Sequence, residues 1–284
     1  MKKTPNLENI AQKICIENHL NYICFVDAGN FKEIFCVEVG GKDYALKVFN
    51  INNSPERTQR EIDVMKRMNC DYIVKLIKVD EISCSEGRFL YLLEEYLGGG
   101  NLTKRIANGL LNRDEIILLG KHMIEALRTT HSHNIVHRDI KPDNILYRKG
   151  DNTSILVDFG LVRDLSATSL TQAFQACGPG TPLYSAPEQL NNQKALIDWR
   201  TDQFSLGITL CIAFLGKHPF CTGNDNAIKI IETISSHNRC TTAIKAELIQ
   251  NKLMPIVKMI EPFPVGRYTK PDFLASEWNK LEEL

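Results

Sequence analysis

The chain has 284 residues, of which 43% are apolar, and its 34 acidic and 34 basic side chains leave no formal net charge at pH 7. That length suits one large or two small domains with a filled core. A balanced chain with no block of like charge gives no reason to expect a nucleic acid or an anionic membrane as the main partner.

Leu7, Ile10 and Ile14 recur at helical spacing and predict a short amphipathic helix within residues 5–19. Apolar runs at Tyr22–Val26, Ile34–Val39 and Tyr44–Phe49 predict strands. The last two are joined by Gly40-Gly41, a two-residue hairpin turn that needs positive φ. Ser54-Pro55-Glu56 reads as N-cap, first-turn proline and acidic first turn of a helix running to about Met68. Strands at Val74–Val79 and Phe89–Glu95, with Ser83–Gly87 as a polar turn between them, complete an N-terminal sheet. Gly98-Gly99-Gly100 frees the backbone and is the expected hinge.

Beyond the glycines the pattern becomes helical. A long helix is predicted from Asn112 to about Ser132, short strands near Ile145–Tyr147 and Ile155–Val157, then a long loop. Further helices are expected near 200–216, 225–237, 243–259 and 271–283. Strands first and helices second predict an α+β arrangement in two lobes: an N-terminal helical extension over 1–19, an N-lobe over 20–97 and a C-lobe over 98–284.

The nine cysteines are scattered, form no CxxC pair and have no histidine cluster beside them. Zinc and a disulfide framework are both disfavoured, which suggests a reduced, cytoplasmic protein. The N-terminus turns polar after Lys2-Lys3 and lacks the apolar core of a signal peptide. The longest apolar run, Leu206–Leu215, is interrupted by Thr209 and is about half a membrane span, so a buried helix explains it better.

The chemistry concentrates in His137-Arg138-Asp139-Ile140-Lys141-Pro142-Asp143-Asn144, followed by Asp158-Phe159-Gly160. Any one Asp or Asn reads as a capped turn. A carboxylate, an ammonium, an amide and a second carboxylate in this order can hold a hydroxyl, a phosphate and a divalent cation together. Transfer of a γ-phosphoryl group needs little else, because positioning and charge neutralisation supply most of the catalysis.

These segments resemble the signatures of the eukaryotic-type serine/threonine protein kinase family. The resemblance spans about residues 20–276. It is close at the catalytic, Asp-Phe-Gly and Ala-Pro-Glu segments, and loose at the glycine loop and after residue 220. It implies a bilobal kinase fold, an antiparallel N-lobe sheet with one main helix and a mostly helical C-lobe, and Mg-ATP as cofactor, with Mn2+ as a possible substitute. Protein serines and threonines, including those of a second copy in trans, would be the substrates.

By resemblance Asp139 is the catalytic base or the residue that orients the acceptor hydroxyl, and Lys141 neutralises charge on the transferred phosphate. Asn144 and Asp158 would hold magnesium, which favours few carboxylates and leaves room for phosphates and waters. Lys47, in Tyr44-Ala45-Leu46-Lys47-Val48, is a lysine among apolar strand residues, costly unless paired. It would bind the α- and β-phosphates and pair with Glu61, for which Glu56 is a weaker competitor.

The glycine loop falls on Asp27 to Ile34, where only Gly29 survives and Asp27 and Lys32 replace the outer glycines. Leu92 to Gly98 resembles the hinge, whose backbone at Glu95 and Leu97 would meet the adenine edge, with Ile34, Ala45 and Leu146 around the purine. The family usually has a neutral residue where Glu94 stands, so that carboxylate needs a partner. Gly180-Thr181-Pro182-Leu183-Tyr184-Ser185-Ala186-Pro187-Glu188 matches the end of the activation segment, with Glu188 expected to pair with Arg267 and Asp202 to fix the catalytic-loop backbone. Met65, Leu76, His137 and Phe159 resemble the family's apolar spine, with Gly160 completing the Asp-Phe-Gly turn.

Arg138 and Arg163 would form a phosphate pocket for the loop between them and the Ala-Pro-Glu segment. Ser166, Thr168, Ser169 and Thr171 are the candidate phosphorylation sites, with Thr168 and Thr171 preferred, since Cys177 stands where relatives often carry a phosphorylated threonine. Asp143 would favour a basic residue near the acceptor. Lys141 and Thr181 follow the serine/threonine pattern. The rival readings are a pseudokinase scaffold, favoured by the eroded glycine loop and Glu94, and a small-molecule phosphotransferase, disfavoured by the Gly-Thr and Ala-Pro-Glu platform.

Overall fold

The computed structural model describes residues 7–29, 32–50, 62–164 and 181–283. These fall into two compact units, one within Met1–Arg67 and Val74–Gly98, the other within Met68–Ile73 and Gly99–Leu284.

The first unit opens with α1 (Leu7–Glu17), then β1 (Asn21–Ala28), β2 (Lys32–Val39) and β3 (Lys42–Asn50). Residues 62–67 are helical (α2), followed by β4 (Leu76–Cys84) and β5 (Gly87–Glu95). The strands form one antiparallel sheet in the order β1-β2-β3-β5-β4. The β2–β3 turn takes Gly40 and Gly41 at φ 61° and 78°, the left-handed pair that a two-residue hairpin demands.

Because side chains alternate across a strand, the sheet has two distinct faces. Phe35, Val37, Leu46, Val48, Tyr91 and Leu93 point to one, where Leu7, Ile10, Ala11, Ile14 and Cys15 of α1 complete the core. The amphipathic N-terminal helix is therefore the cover of that face. Lys13 pairs with Glu86 at 2.8 Å and the Tyr22 hydroxyl donates to Glu8 at 2.7 Å, tying the helix to the sheet.

Strand β4 starts two residues later than expected and runs on through Cys84, which narrows the polar turn to Ser85-Glu86. The acidic stretch Asp80-Glu81 stays in the strand with both residues exposed, while Ile82, opposite Phe89, is buried in the core.

The second unit contains α3 (Leu102–Ala107), α4 (Arg113–Ser132), β6 (Ile135–Val136), β7 (Ile145–Tyr147), β8 (Ser154–Leu156), β9 (Arg163–Asp164) and α5 (Pro187–Leu190). It ends with α6 (Trp199–Leu215), α7 (Ala227–Ser235), α8 (Thr242–Gln250), α9 (Met254–Met259) and α10 (Pro271–Asn279). The start of α4 is a full capping box: the Asn112 side chain accepts from Glu115 N and the Glu115 side chain accepts from Asn112 N. Helix α6 is buried almost all round, from Trp199 to Ala213, which accounts for the long apolar run there.

One helix was expected over 243–259, and two are present. Helix α8 ends at an Asn251 C-cap, Lys252 takes φ 57°, and Pro255, with no N–H to give, sits in the first turn of α9. Helix α3 and the two-residue strands β6 and β9 went unexpected, being too short to show a period. No helix among the described residues is long and apolar enough to cross a membrane.

Candidate active site

In the second unit two small ribbons carry the chemistry. Strand β6 pairs with β9, and β7 with β8. The loop 137–144 leaves β6 and enters β7, and the turn at Asp158 leaves β8 and leads to β9. Pairing of the strands thus holds the two polar loops together, and Val157 N donates to Asn144 O at 3.0 Å between them.

Within the first loop Asn144 Nδ2 donates to Asp139 O at 2.8 Å and to Asp139 Oδ2 at 2.9 Å, and Lys141 Nζ lies 3.0 Å from the same Oδ2. With both amide protons committed, the remaining Asn144 acceptor, Oδ1, is the atom able to ligate a cation. Asp139 is buried, and its Oδ1 has no hydrogen-bond partner among the described residues. A buried carboxylate oxygen without a donor is costly, and it is the acceptor that an incoming hydroxyl would satisfy. Burial pushes the Asp139 carboxyl above its ordinary range, with Lys141 pulling the other way.

The loop backbone is held by three hydrogen bonds to two side chains, Asp202 and Gln189. Arg138 sits at φ 69°, an uncommon conformation for a residue with a side chain. The Asp202 carboxylate accepts from His137 N and Arg138 N, both at 2.7 Å, and Gln189 Nε2 donates to Arg138 O at 2.8 Å. Burial pushes Asp202 up to about 7, against the two backbone donors that hold it down. His137 is fully buried and neutral in its bonding: Nδ1 accepts from Asp139 N at 3.3 Å and Nε2 faces Val157 O at 3.1 Å. Its ring meets Phe159 edge-on at 4.8 Å.

Asp158 is left-handed at φ 65°, ψ 76°, and its Oδ1 accepts from Gly160 N at 3.3 Å. Oxygen donors from Asp158 and Asn144 suit a hard cation such as magnesium. Glu188 and Arg267 form a buried bidentate pair. Leu146 stands in β7, where its strand also meets Asn101. Thr103 Oγ1 donates to Asp143 at 2.7 Å.

The first unit carries Lys47, whose Nζ lies 2.7 Å from Glu94 Oε2 with both side chains buried. The expected partner Glu61 lies outside the described residues, as do Glu56, Ser166, Thr168, Ser169, Thr171 and Cys177; nothing is described of the Arg163 and Thr181 side chains. Ile34 stands opposite Lys47 and Ala45 opposite Glu94, which brings all four to one sheet face. Gly29 N donates to Lys32 O at 2.8 Å, so this glycine closes the β1–β2 hairpin, and Lys32 Nζ lies over the Phe49 ring. Glu95 N donates to Lys75 O at 3.0 Å, so the Glu95 amide proton is already bonded within the first unit. Leu97 and Met65 are buried.

Sequence reasoning missed Gln189, which follows Glu188 directly and reads as an ordinary helix residue, and it left Glu94 without a partner.

The five-stranded sheet, the helical second unit and the loop 137–144 beside Asp158 are those of a protein kinase domain. The model of that domain matches residues 28–279, and the chain belongs to the protein kinase family. It is 34% identical over 224 residues to a serine/threonine-protein kinase stk11 homolog of Dictyostelium discoideum, covering 77% of this chain and 36% of that protein. It is 30% identical over 278 residues to the serine/threonine-protein kinase cds1 of Schizosaccharomyces pombe, covering 92% and 58%. With the CBL-interacting serine/threonine-protein kinase 19 of Arabidopsis thaliana it shares 30% over 263 residues, covering 89% and 51%. The chain thus spans between about a third and three-fifths of the length of these relatives.

Proposed function

We propose that the protein transfers the γ-phosphate of Mg-ATP to serine and threonine hydroxyls of proteins. The observation that carries this reading is Asp139: a buried carboxylate with one oxygen fixed by Asn144 and Lys141 and the other awaiting a donor. Its role is to orient the acceptor hydroxyl and take its proton, which contributes about 10²–10⁴-fold to rate in general-base catalysis. Asn144 and Asp158 hold the magnesium, Lys141 offsets charge on the moving phosphoryl group, and Lys47 takes the nucleotide phosphates. Ile34, Ala45 and Leu146 contact the purine, and the backbone of Glu95 and Leu97 contacts its edge.

The same reading includes autophosphorylation in trans at Thr168 or Thr171, with Ser166 and Ser169 as further acceptors. Incubation with Mg-ATP followed by peptide mass spectrometry tests it; an unmodified peptide spanning 164–177 sinks that part. Eight free thiols among the described residues fit a reducing compartment, and we place the protein in the cytoplasm. Transfer to a general protein substrate, compared between wild type and Asp139→Asn, tests the activity itself. Nucleotide-dependent thermal stabilisation without transfer would favour the pseudokinase reading instead.

A further inference from the structure

Lys47 and Glu94 stand on neighbouring strands. In the β3–β5 ladder Lys47 lies opposite Leu92 and Glu94 opposite Ala45, so the two charged residues are diagonal neighbours on the same face, a spacing within reach of long side chains. They meet at 2.7 Å, with side-chain exposures of 6% and 2%. That face is the one opposite the α1 core, and it also carries Ile34 and Ala45.

We propose that Glu94 is a positioning residue for Lys47, an in-sheet carboxylate that aims this lysine. This rests on the phosphotransfer reading above, in which Lys47 takes the nucleotide phosphates. Three observations support it. The pair is made by two strands joined through a continuous ladder from Tyr44–Glu95 to Asn50–Phe89, so its geometry is as rigid as the sheet, the kind of support a functional side chain needs. A buried ion pair contributes little net stability compared with apolar residues of the same volume, so packing alone gives no reason for two charges here. Finally, one bond to Glu94 uses one of the three ammonium protons of Lys47, which leaves donors for phosphate oxygens.

Loss of the Glu94 carboxylate raises KM for ATP and lowers kcat together, because Lys47 is then misplaced.

The test couples kinetics to unfolding of the full-length protein. KM for ATP and kcat are measured for wild type and Glu94→Gln, with matched unfolding curves. We expect kcat/KM for ATP to fall by about tenfold or more in Glu94→Gln, since a small misplacement of a reacting group is costly; unchanged KM and kcat in the folded variant overturn the proposal. Should Glu94→Gln fail to fold, thermal unfolding of Lys47→Met, Glu94→Met and the double variant decides. Recovery of Tm in the double variant supports the coupling, and simple additivity of the two losses overturns it. A wild-type protein that transfers no phosphate while the double variant recovers Tm defeats the kinase reading and leaves the Lys47–Glu94 pair standing.

Discussion

The Arg267 guanidinium grips the Glu188 carboxylate with both arms, Nη1 to Oε1 at 2.7 Å and Nη2 to Oε2 at 3.0 Å, in a site where neither side chain exposes more than 1%. The remaining donors of Arg267 go to the backbone oxygens of Glu261, Pro262 and Arg200, and Thr201 donates to Glu188 Oε1. Phe204 lies beneath the guanidinium at 4.6 Å. Every polar group is met, so the pair holds the segment ending at Glu188 to α6 and to the loop before α10.

Removing one partner leaves a buried charge uncompensated. Arg267→Ala or Glu188→Ala is expected to cost about 3–5 kcal/mol, read as a lower urea midpoint with an unchanged slope. Arg267→Met with Glu188→Leu should recover a large part of that loss. A loss below about 1 kcal/mol in the single variants, the range of exposed pairs, would contradict this account.

Gln189 gives a different kind of prediction. Its amide holds Arg138 O from one side while Asp202 holds Arg138 N from the other. Gln189→Leu fits the space but leaves that carbonyl without its donor, at a cost of about 1–3 kcal/mol. The strained Arg138 backbone then relaxes and Asp139 shifts with it. We expect kcat to fall about tenfold or more, since small misplacements of a reacting group are costly, with KM for ATP nearly unchanged. A parallel rise in KM would place the effect elsewhere.

How much of this was legible in the sequence depends on the range of the interaction. The Asn112 capping box is a contact between residues three apart, and it could be read directly. The Gly40-Gly41 turn likewise shows in two adjacent letters. Glu188–Arg267 and the Asp202 brace span far longer separations and were reached only through the family resemblance. Lys47–Glu94 escaped because the pairing follows from strand register, and register is set by the whole ladder. The break after Gln250 escaped for another reason: the apolar period runs on through it, and only the backbone at Lys252 shows the chain turning.

His122 provides a pH signature. Its ring is buried in α4, stacked on Tyr72 at 4.5 Å, and Ser154 N donates to its Nδ1 at 3.2 Å. A proton on Nδ1 would face that donor. Burial lowers its pKa, with Lys121 adding to the effect, Asp151 opposing it and Arg148 adding slightly. A histidine whose folded pKa lies below its unfolded value binds more protons when unfolded. Its contribution to stability is complete above the unfolded pKa of about 6.5 and is lost as pH falls through the folded value. Burial lowers His137 and His218 in the same sense. Thermal stability should therefore drop as pH falls below about 6.5, and His122→Gln should show a shallower drop than wild type. An identical profile in the two proteins would show that His122 does not titrate on unfolding.

Asp139 predicts the shape of the pH–rate profile. Its carboxyl is raised by burial, and only the ionised form can accept the hydroxyl proton. The acid limb of kcat should therefore lie above the ordinary aspartate value of about 3.9. Lys141→Met removes the neighbour that pulls the pKa down and should move that limb to still higher pH. A limb that stays in place would exclude Asp139 as the titrating group.

The most direct test of the account is phosphate transfer from labelled Mg-ATP to a general protein substrate, measured side by side for wild type and Asp139→Asn, with matched unfolding curves to show that both are folded. Label on serine or threonine is expected with the wild-type protein, and a rate lower by about 10²–10⁴-fold with the variant, the contribution of a general base. Equal transfer by the two folded proteins, or none by either, would contradict it.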